Sequence, residues 1–167
     1  MAEIDRLDAE IIGRLTVDSR MSVAELSAHL GVTRSTVQAR LKRLEDTGVL
    51  GGFRPELDLD RIGVHVQAFV AIELDQKRLG EVTAALARVP EVLEVVTQAG
   101  REDLVARVAS STHKTLQEVV TVIIDLPGVR HTTTTLAVST PVPYRLQPLL
   151  DKLTEGRGWG RSTPGPL

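Results

Sequence analysis

The sequence has no cysteine, so disulfides and thiolate metal sites are excluded, although that absence does not identify a compartment. Aromatic residues make up only 2% of it, which leaves Leu, Val, Ile and Ala to build the core. No apolar run approaches the roughly 18 residues of a membrane helix, so no membrane partner is expected. The opening Met1-Ala2-Glu3-Ile4-Asp5 lacks the basic and apolar segments of a signal peptide, and a cytoplasmic protein is the expectation. His29, His65, His113 and His131 are scattered outside any metal-ligand spacing. Gly51-Gly52 and Gly156-x-Gly158-x-Gly160 lack the strand-to-helix setting of a phosphate loop. With no nucleophile paired to a base, neither catalysis, a metal nor a cofactor is expected.

What is present is enough for one folded domain of average size or two small ones: 167 residues, 42% hydrophobic and 25% charged. The net charge of −2 conceals a separation. Residues 34 to 54 carry Arg34, Arg40, Lys42, Arg43 and Arg54 against Glu45 and Asp46, whereas residues 56 to 110 are acidic on balance. A basic segment inside an acidic chain points to nucleic acid at one end only.

Three helical patterns come first. Ile4, Leu7, Ile11, Ile12 and Leu15 recur at helical spacing, with Asp5 or Asp8 suited to the first turn. Ser22 with Glu25 reads as a capping box before Val23, Leu26 and Leu30, and Gly31 ends that helix. Val37, Leu41 and Leu44 mark a third helix that runs to Thr47-Gly48. A short helix, a glycine turn and a longer helix have the spacing of a helix-turn-helix. Arg34, Gln38 and Lys42 share a different face, and Ser35 and Thr36 lie near the N-terminus, where hydroxyls can reach bases or phosphates. Val49-Leu50, Gly51-Gly52 and Phe53-Arg54 read as a hairpin wing ended by Pro55, with Arg54 set to meet a phosphate. The candidate DNA contacts are Ser22, Thr33, Arg34, Ser35, Thr36, Gln38, Lys42, Arg43 and Arg54.

From Val64 the period changes to two, with Val64, Val66, Ala68, Val70, Ile72 and Leu74 on one face. A helix (Leu79 to Val89), a strand (Val92 to Ala99), a turn at Gly100 to Asp103 and a strand (Leu104 to Ala109) follow. Ser111 or Thr112 caps a second helix, Pro127-Gly128 stops it, and Val129 to Val138 is the last strand. This βαββαβ order predicts a four-stranded antiparallel sheet with both helices on one face, the ferredoxin-like arrangement. The bare face predicts homodimerisation.

In this order and spacing the residues resemble the Lrp/AsnC family of prokaryotic feast/famine regulators, over about residues 4 to 140. The resemblance is carried by Leu7-Asp8, Ile11-Ile12, Ser19-Arg20-Met21-Ser22, Glu25-Leu26, Leu30-Gly31-Val32-Thr33, Arg40 to Glu45 and Gly48 to Phe53. Gly100-x-x-Asp103 and Pro127-Gly128-Val129 with Thr132 and Thr134 extend it. It implies an α+β protein, with a winged helix-turn-helix (1–60), a ferredoxin-like domain of the RAM type (61–140) and an extension (141–167). It also implies a homodimer that assembles further, often to octamers, and binds double-stranded DNA under control of an amino acid or similar small molecule. The effector pocket it implies, at the interface between sensing domains, comprises Gln98, Gly100, Arg101, Glu102, Asp103, Thr132 and Thr134. Turn amides can bind a carboxylate, Asp103 can meet an ammonium, and threonine hydroxyls can donate or accept. The turn joins the second and third strands, and the threonines are expected on the second strand's side of the sheet. The same residues also read simply as a hairpin turn and good strand composition.

Two departures stand out. Glu102 occupies a position that is often aromatic in the family. Beyond Pro141-Val142-Pro143, Leu146, Leu149, Leu150 and Leu153 predict a short amphipathic helix, and Gly156 to Leu167 is expected to be disordered with Trp159 exposed. The rival function is a stand-alone small-molecule-binding or protein-interaction module without specific DNA recognition. A basic reading helix in the first sixty residues argues against it.

Overall fold

Local capping chemistry sets the first three helices. The computed structural model, which describes residues 3–160, has α1 at Arg6–Val17, α2 at Val23–Leu30 and α3 at Arg34–Asp46. Asp5 and Asp8 form a reciprocal capping box on α1, as Ser22 and Glu25 do on α2. Gly31 ends α2 in the left-handed region (φ 64°), which glycine adopts without Cβ strain, and Thr33 caps α3 two residues later. Leu7, Ile11, Leu26 and Val37 are fully buried where the three helices meet.

The wing does not form. Residues 49 to 54 contain no strand, and all but Leu50 are exposed. Two residues on either side of Gly51-Gly52 offer too few ladder bonds to offset the entropy of ordering two glycines, and Pro55 can donate none. Leu50 instead folds back, its N–H donating to the Leu44 carbonyl (2.9 Å).

The second unit, Glu56–Val142, holds β1 (Val66–Leu74), α4 (Leu79–Leu86), β2 (Val92–Thr97), β3 (Leu104–Ser110), α5 (His113–Ile124) and β4 (Val129–Ala137). The strand order is β2-β3-β1-β4 with every pairing antiparallel, which is the expected ferredoxin-like sheet. β4 therefore lies at the opposite edge from β2, correcting the expectation that the threonine strand lies on β2's side. The reason is the crossover: α5 carries the chain from β3 past the central β1 to the far edge. Val70, Ile72, Leu104, Ala106, Val82, Leu86 and Ile123 make a fully buried core between sheet and helices.

The first unit is completed from the other end of the chain. Among the described residues, 143–160 group with 3–55. The expected amphipathic helix is present as α6, Gln147–Leu153, and packs on α1. Gly13 of α1 leaves the space that Gln147 fills: a Cβ there would stand 2.5 Å from Gln147 Oε1. Glycine within a helix costs about 1 kcal/mol relative to alanine, and this close approach accounts for it. Trp159 is not the exposed tail residue expected: it is half-buried against the α1 core. Of the segment expected to be disordered, Gly156 to Gly160 is placed by this packing, and residues 161–167 lie outside the described residues.

Candidate nucleic-acid interface and effector cleft

The surface of α3 divides by residue type. Arg34, Ser35, Gln38 and Lys42 are exposed, Thr36 is half-buried, and Val37 and Leu44 are buried. Arg34, Gln38 and Lys42 thus form one polar face, turned away from the apolar seat. Lys42 Nζ lies 3.2 Å from Asp46 one turn on, an exposed pair that competing phosphates can replace. Thr33 Oγ1 accepts from the Thr36 N–H (3.2 Å) and lies 2.9 Å from both the Ser35 and Thr36 hydroxyls. Ser22 is likewise occupied in its cap, bonding Glu25 at 2.7 Å. These caps orient the helix N-terminus. Arg54 is exposed in the strandless segment that stands where the wing was expected.

Arg43 is placed differently from the other candidates. Its guanidinium pairs with the fully buried Asp8 and donates to the Glu3 carbonyl (3.3 Å). Arg40, which was not among the candidates, joins it: Nη1 donates to Asp5 Oδ2 (2.5 Å) and Asp8 Oδ1 (3.2 Å). The signal was available, because Arg40 falls between Val37 and Leu44 on the inner side of α3. A charge there requires a partner, and the first turn of α1 supplies it. Burial would raise the Asp5 pKa, but the hydrogen bond from Arg40 and the capping bond with Asp8 outweigh it, and the net shift is downward.

In the second unit the Gly100 turn stands at one end of the sheet. The Gln98 N–H donates to the Asp103 carbonyl (2.9 Å) and closes the β2–β3 turn, as the hairpin reading requires. The Asp103 carboxylate reaches across to β1, accepting from the Leu74 N–H (2.8 Å) and from Gln76 Nε2 (3.0 Å). The Leu74 and Gln76 bonds, helped by the charge of Arg130, lower its pKa. The β1–β4 pairing slips between Glu73 and Leu74, where Arg130 is the extra, unpaired residue on β4, and the strand ends open at this point. An open cleft of about 550 Å³ results, lined by Glu73, Leu74, Asp75, Gln76, Lys77, Gly100, Arg101, Asp103 and Arg130. Gly100, Arg101 and Asp103 are thus brought together, while Gln98, Glu102, Thr132 and Thr134 do not line the cleft. Thr132 and Thr134 pair with Ile72 and Val70, so they share the helix-covered face; Thr133 and Thr135 share the open one. Lys77, Arg130, Glu73 and Asp75 are lining residues that sequence reasoning missed, because the strand irregularity that gathers them has no sequence signature.

Comparison with known proteins bears on both units. The family model of the AsnC-type helix-turn-helix domain matches residues 4–45, and that of the Lrp/AsnC ligand binding domain matches residues 67–147. An uncharacterised HTH-type transcriptional regulator of Pyrococcus furiosus is 31% identical, over 87% of this chain and 99% of that protein. The proline dehydrogenase transcriptional activator of Rhizobium radiobacter is 35% identical, over 79% and 87%. Among solved structures, E. coli AsnC superposes with a TM-score of 0.81 at 26% identity, covering 88% of this chain and 100% of that one. A feast or famine regulatory protein from M. tuberculosis, complexed with L-methionine, superposes with a TM-score of 0.76 at 30% identity, covering 84% and 96%.

The Asp5–Asp8–Arg40–Arg43 cluster has two consequences for stability. Arg40→Ala should cost about 3–5 kcal/mol in urea unfolding, since it removes one partner of a buried carboxylate; a loss below 1 kcal/mol would show that Arg43 alone satisfies Asp8. Folding holds Asp5 below its ordinary value of 3.8, so its ionised form favours the folded state. That contribution is complete at neutral pH and is lost as the pH falls through 3.8 and below. Urea midpoints followed by Trp159 fluorescence should therefore drop between pH 5 and pH 3, and Asp5→Asn should flatten that drop.

Proposed function

The chain belongs to the Lrp/AsnC family and is a DNA-binding transcriptional regulator rather than an enzyme; from that premise we propose how its two units divide the work. α3 reads double-stranded DNA from the major groove through Arg34, Ser35, Gln38 and Lys42. Ser22, Thr33 and Thr36 orient helix ends toward phosphates, Arg54 adds a phosphate contact, and Arg43 supports the helix from behind. The observation that carries this reading is the polar face of α3, exposed opposite a buried apolar seat. Acting on DNA, the protein works in the cytoplasm.

The second unit dimerises through the open face of its sheet, where Phe69 is 45% exposed and Val96 50%. Dimers then assemble further, to an octamer for instance. The effector is an amino acid, the class of ligand named in the M. tuberculosis complex. It sits in the cleft beside the Gly100 turn, its carboxylate toward Arg101 and Lys77 and its ammonium toward Glu73. Asp103 holds β1 and β3 together under it, and Gln98 fixes the turn from behind. Glu102, Thr132 and Thr134 contribute only where a second subunit closes on the cleft.

Gln38→Ala should reduce the preference for a selected duplex over a random one, whereas Arg54→Ala should weaken both about equally, because phosphates carry no sequence information. Equal losses in Gln38→Ala would rule out this register for α3. Light scattering should give a dimer or a multiple of one. Calorimetry with the twenty amino acids should find one whose binding Arg101→Ala weakens, and Asp103→Ala should abolish its effect on DNA affinity, an effect of about 5- to 150-fold. An amino acid that binds Asp103→Ala as tightly as wild type would move the effector site elsewhere.

A further inference from the structure

The match to the ligand binding domain ends at residue 147, where α6 begins. From there to Gly160 the chain returns to the unit that contains α3. Three attachments seat it. Gln147 Nε2 donates to the Ala9 carbonyl (3.4 Å) over the gap left by Gly13. Arg157 Nη1 donates to the Ile4 carbonyl (3.0 Å) and pairs with Glu3 at the same distance. Trp159, the sole tryptophan, packs on the α1 core.

The third attachment reaches the reading helix. The Trp159 carbonyl accepts from Arg40 Nη2 (3.2 Å), while Arg40 Nη1 holds Asp5 and Asp8. One guanidinium on α3 is thus fixed by α1 through one nitrogen and by the C-terminal segment through the other. Arg40 lies one turn from Val37 and from Leu44, on the side that seats α3, so its placement sets the tilt at which Arg34, Gln38 and Lys42 are presented.

We propose that Gln147–Gly160 is a brace acting in cis, which positions the reading helix through Arg40 and thereby sharpens DNA discrimination. This rests on the DNA-binding reading above. Base-edge hydrogen bonds demand narrow geometry, whereas phosphate contacts tolerate displacement. Loosening the brace therefore lowers specific binding more than non-specific binding.

The test uses the full chain and two duplexes of equal length, one selected by the wild-type protein from a random pool and one unselected. Gly13→Leu fills the space of Gln147 without touching Arg40 or its carboxylates, and Trp159 emission reports the undocking as a red shift. Trp159→Ala removes the indole directly, and Trp159→Phe restores an aromatic ring. Gly13→Leu and Trp159→Ala should each lose roughly 5-fold or more of the preference for the selected duplex. Affinity for the unselected duplex should be unchanged, and Trp159→Phe should keep the preference. Should Gly13→Leu fail to fold, Trp159→Ala against Trp159→Phe decides alone. Retained preference despite a red-shifted Trp159, or equal loss on both duplexes, overturns the brace. A wild-type chain that selects no duplex at all overturns the DNA-binding reading, and the brace with it.

Discussion

A buried carboxylate governs the first unit. Asp8 is fully buried, and an ionised carboxylate in that position is tolerable only when every oxygen is satisfied. The Asp5 N–H, Arg40 and Arg43 satisfy it. Two of those partners lie on α3 and one at the cap of α1, so satisfying Asp8 fixes the crossing of the two helices. Apolar packing of Leu7, Ile11 and Val37 supplies more free energy, but it is non-directional and tolerates sliding. The charge cluster is intolerant of sliding, because a displaced guanidinium leaves a buried charge unpaired. The exposed polar face of α3 thus inherits its orientation from a group buried on the other side of the helix.

The second unit uses a carboxylate in a related way at lower cost. Asp103 is near the surface, yet its oxygens take the Leu74 N–H and the Gln76 amide, tying the start of β3 to the end of β1 where the regular ladder gives out. A strand end so tied can part from its neighbour without fraying, and the cleft at the Gly100 turn is the consequence. Turn chemistry and site geometry are therefore not competing accounts of Gly100-x-x-Asp103. The bonds that make it a sound turn also shape the cavity.

Periodicity made most of the fold legible. The period of two from Val64 and the helical spacing of Leu7, Ile11 and Leu15 each report which face is buried, and burial is what the sheet and the helix bundle are built on. The cap at Ser22 was legible for a similar reason, since its bonds span three residues. The wing was misjudged because Gly51-Gly52 is a sound turn signal attached to strands too short to pair. In the candidate site, the exposed face of α3 followed from spacing alone. The role of Arg43 did not, because a basic residue on a basic helix reads as a phosphate contact unless the distant Asp8 is known to lie against it. The cleft residues Lys77 and Arg130 were invisible for the same reason: β1 and β4 meet there across more than fifty residues of chain.

Trp159 shows how composition misleads in the other direction. Gly156 to Gly160 has the makeup of a disordered tail, and glycine-rich segments do not order themselves. Here order is imposed from outside, by a helix whose Gly13 leaves room for Gln147 and by an Arg40 nitrogen that the carboxylates of α1 leave to the Trp159 carbonyl. Both features belong to segments more than a hundred residues upstream, and neither is explained by the residues up to Pro55 alone. Gly13 interrupts an otherwise good helix, and Arg40 has more donors than Asp5 and Asp8 accept. A helix glycine without a turn to make and a buried-side arginine with a nitrogen to spare are both marks of a missing partner. The C-terminal segment supplies that partner to both.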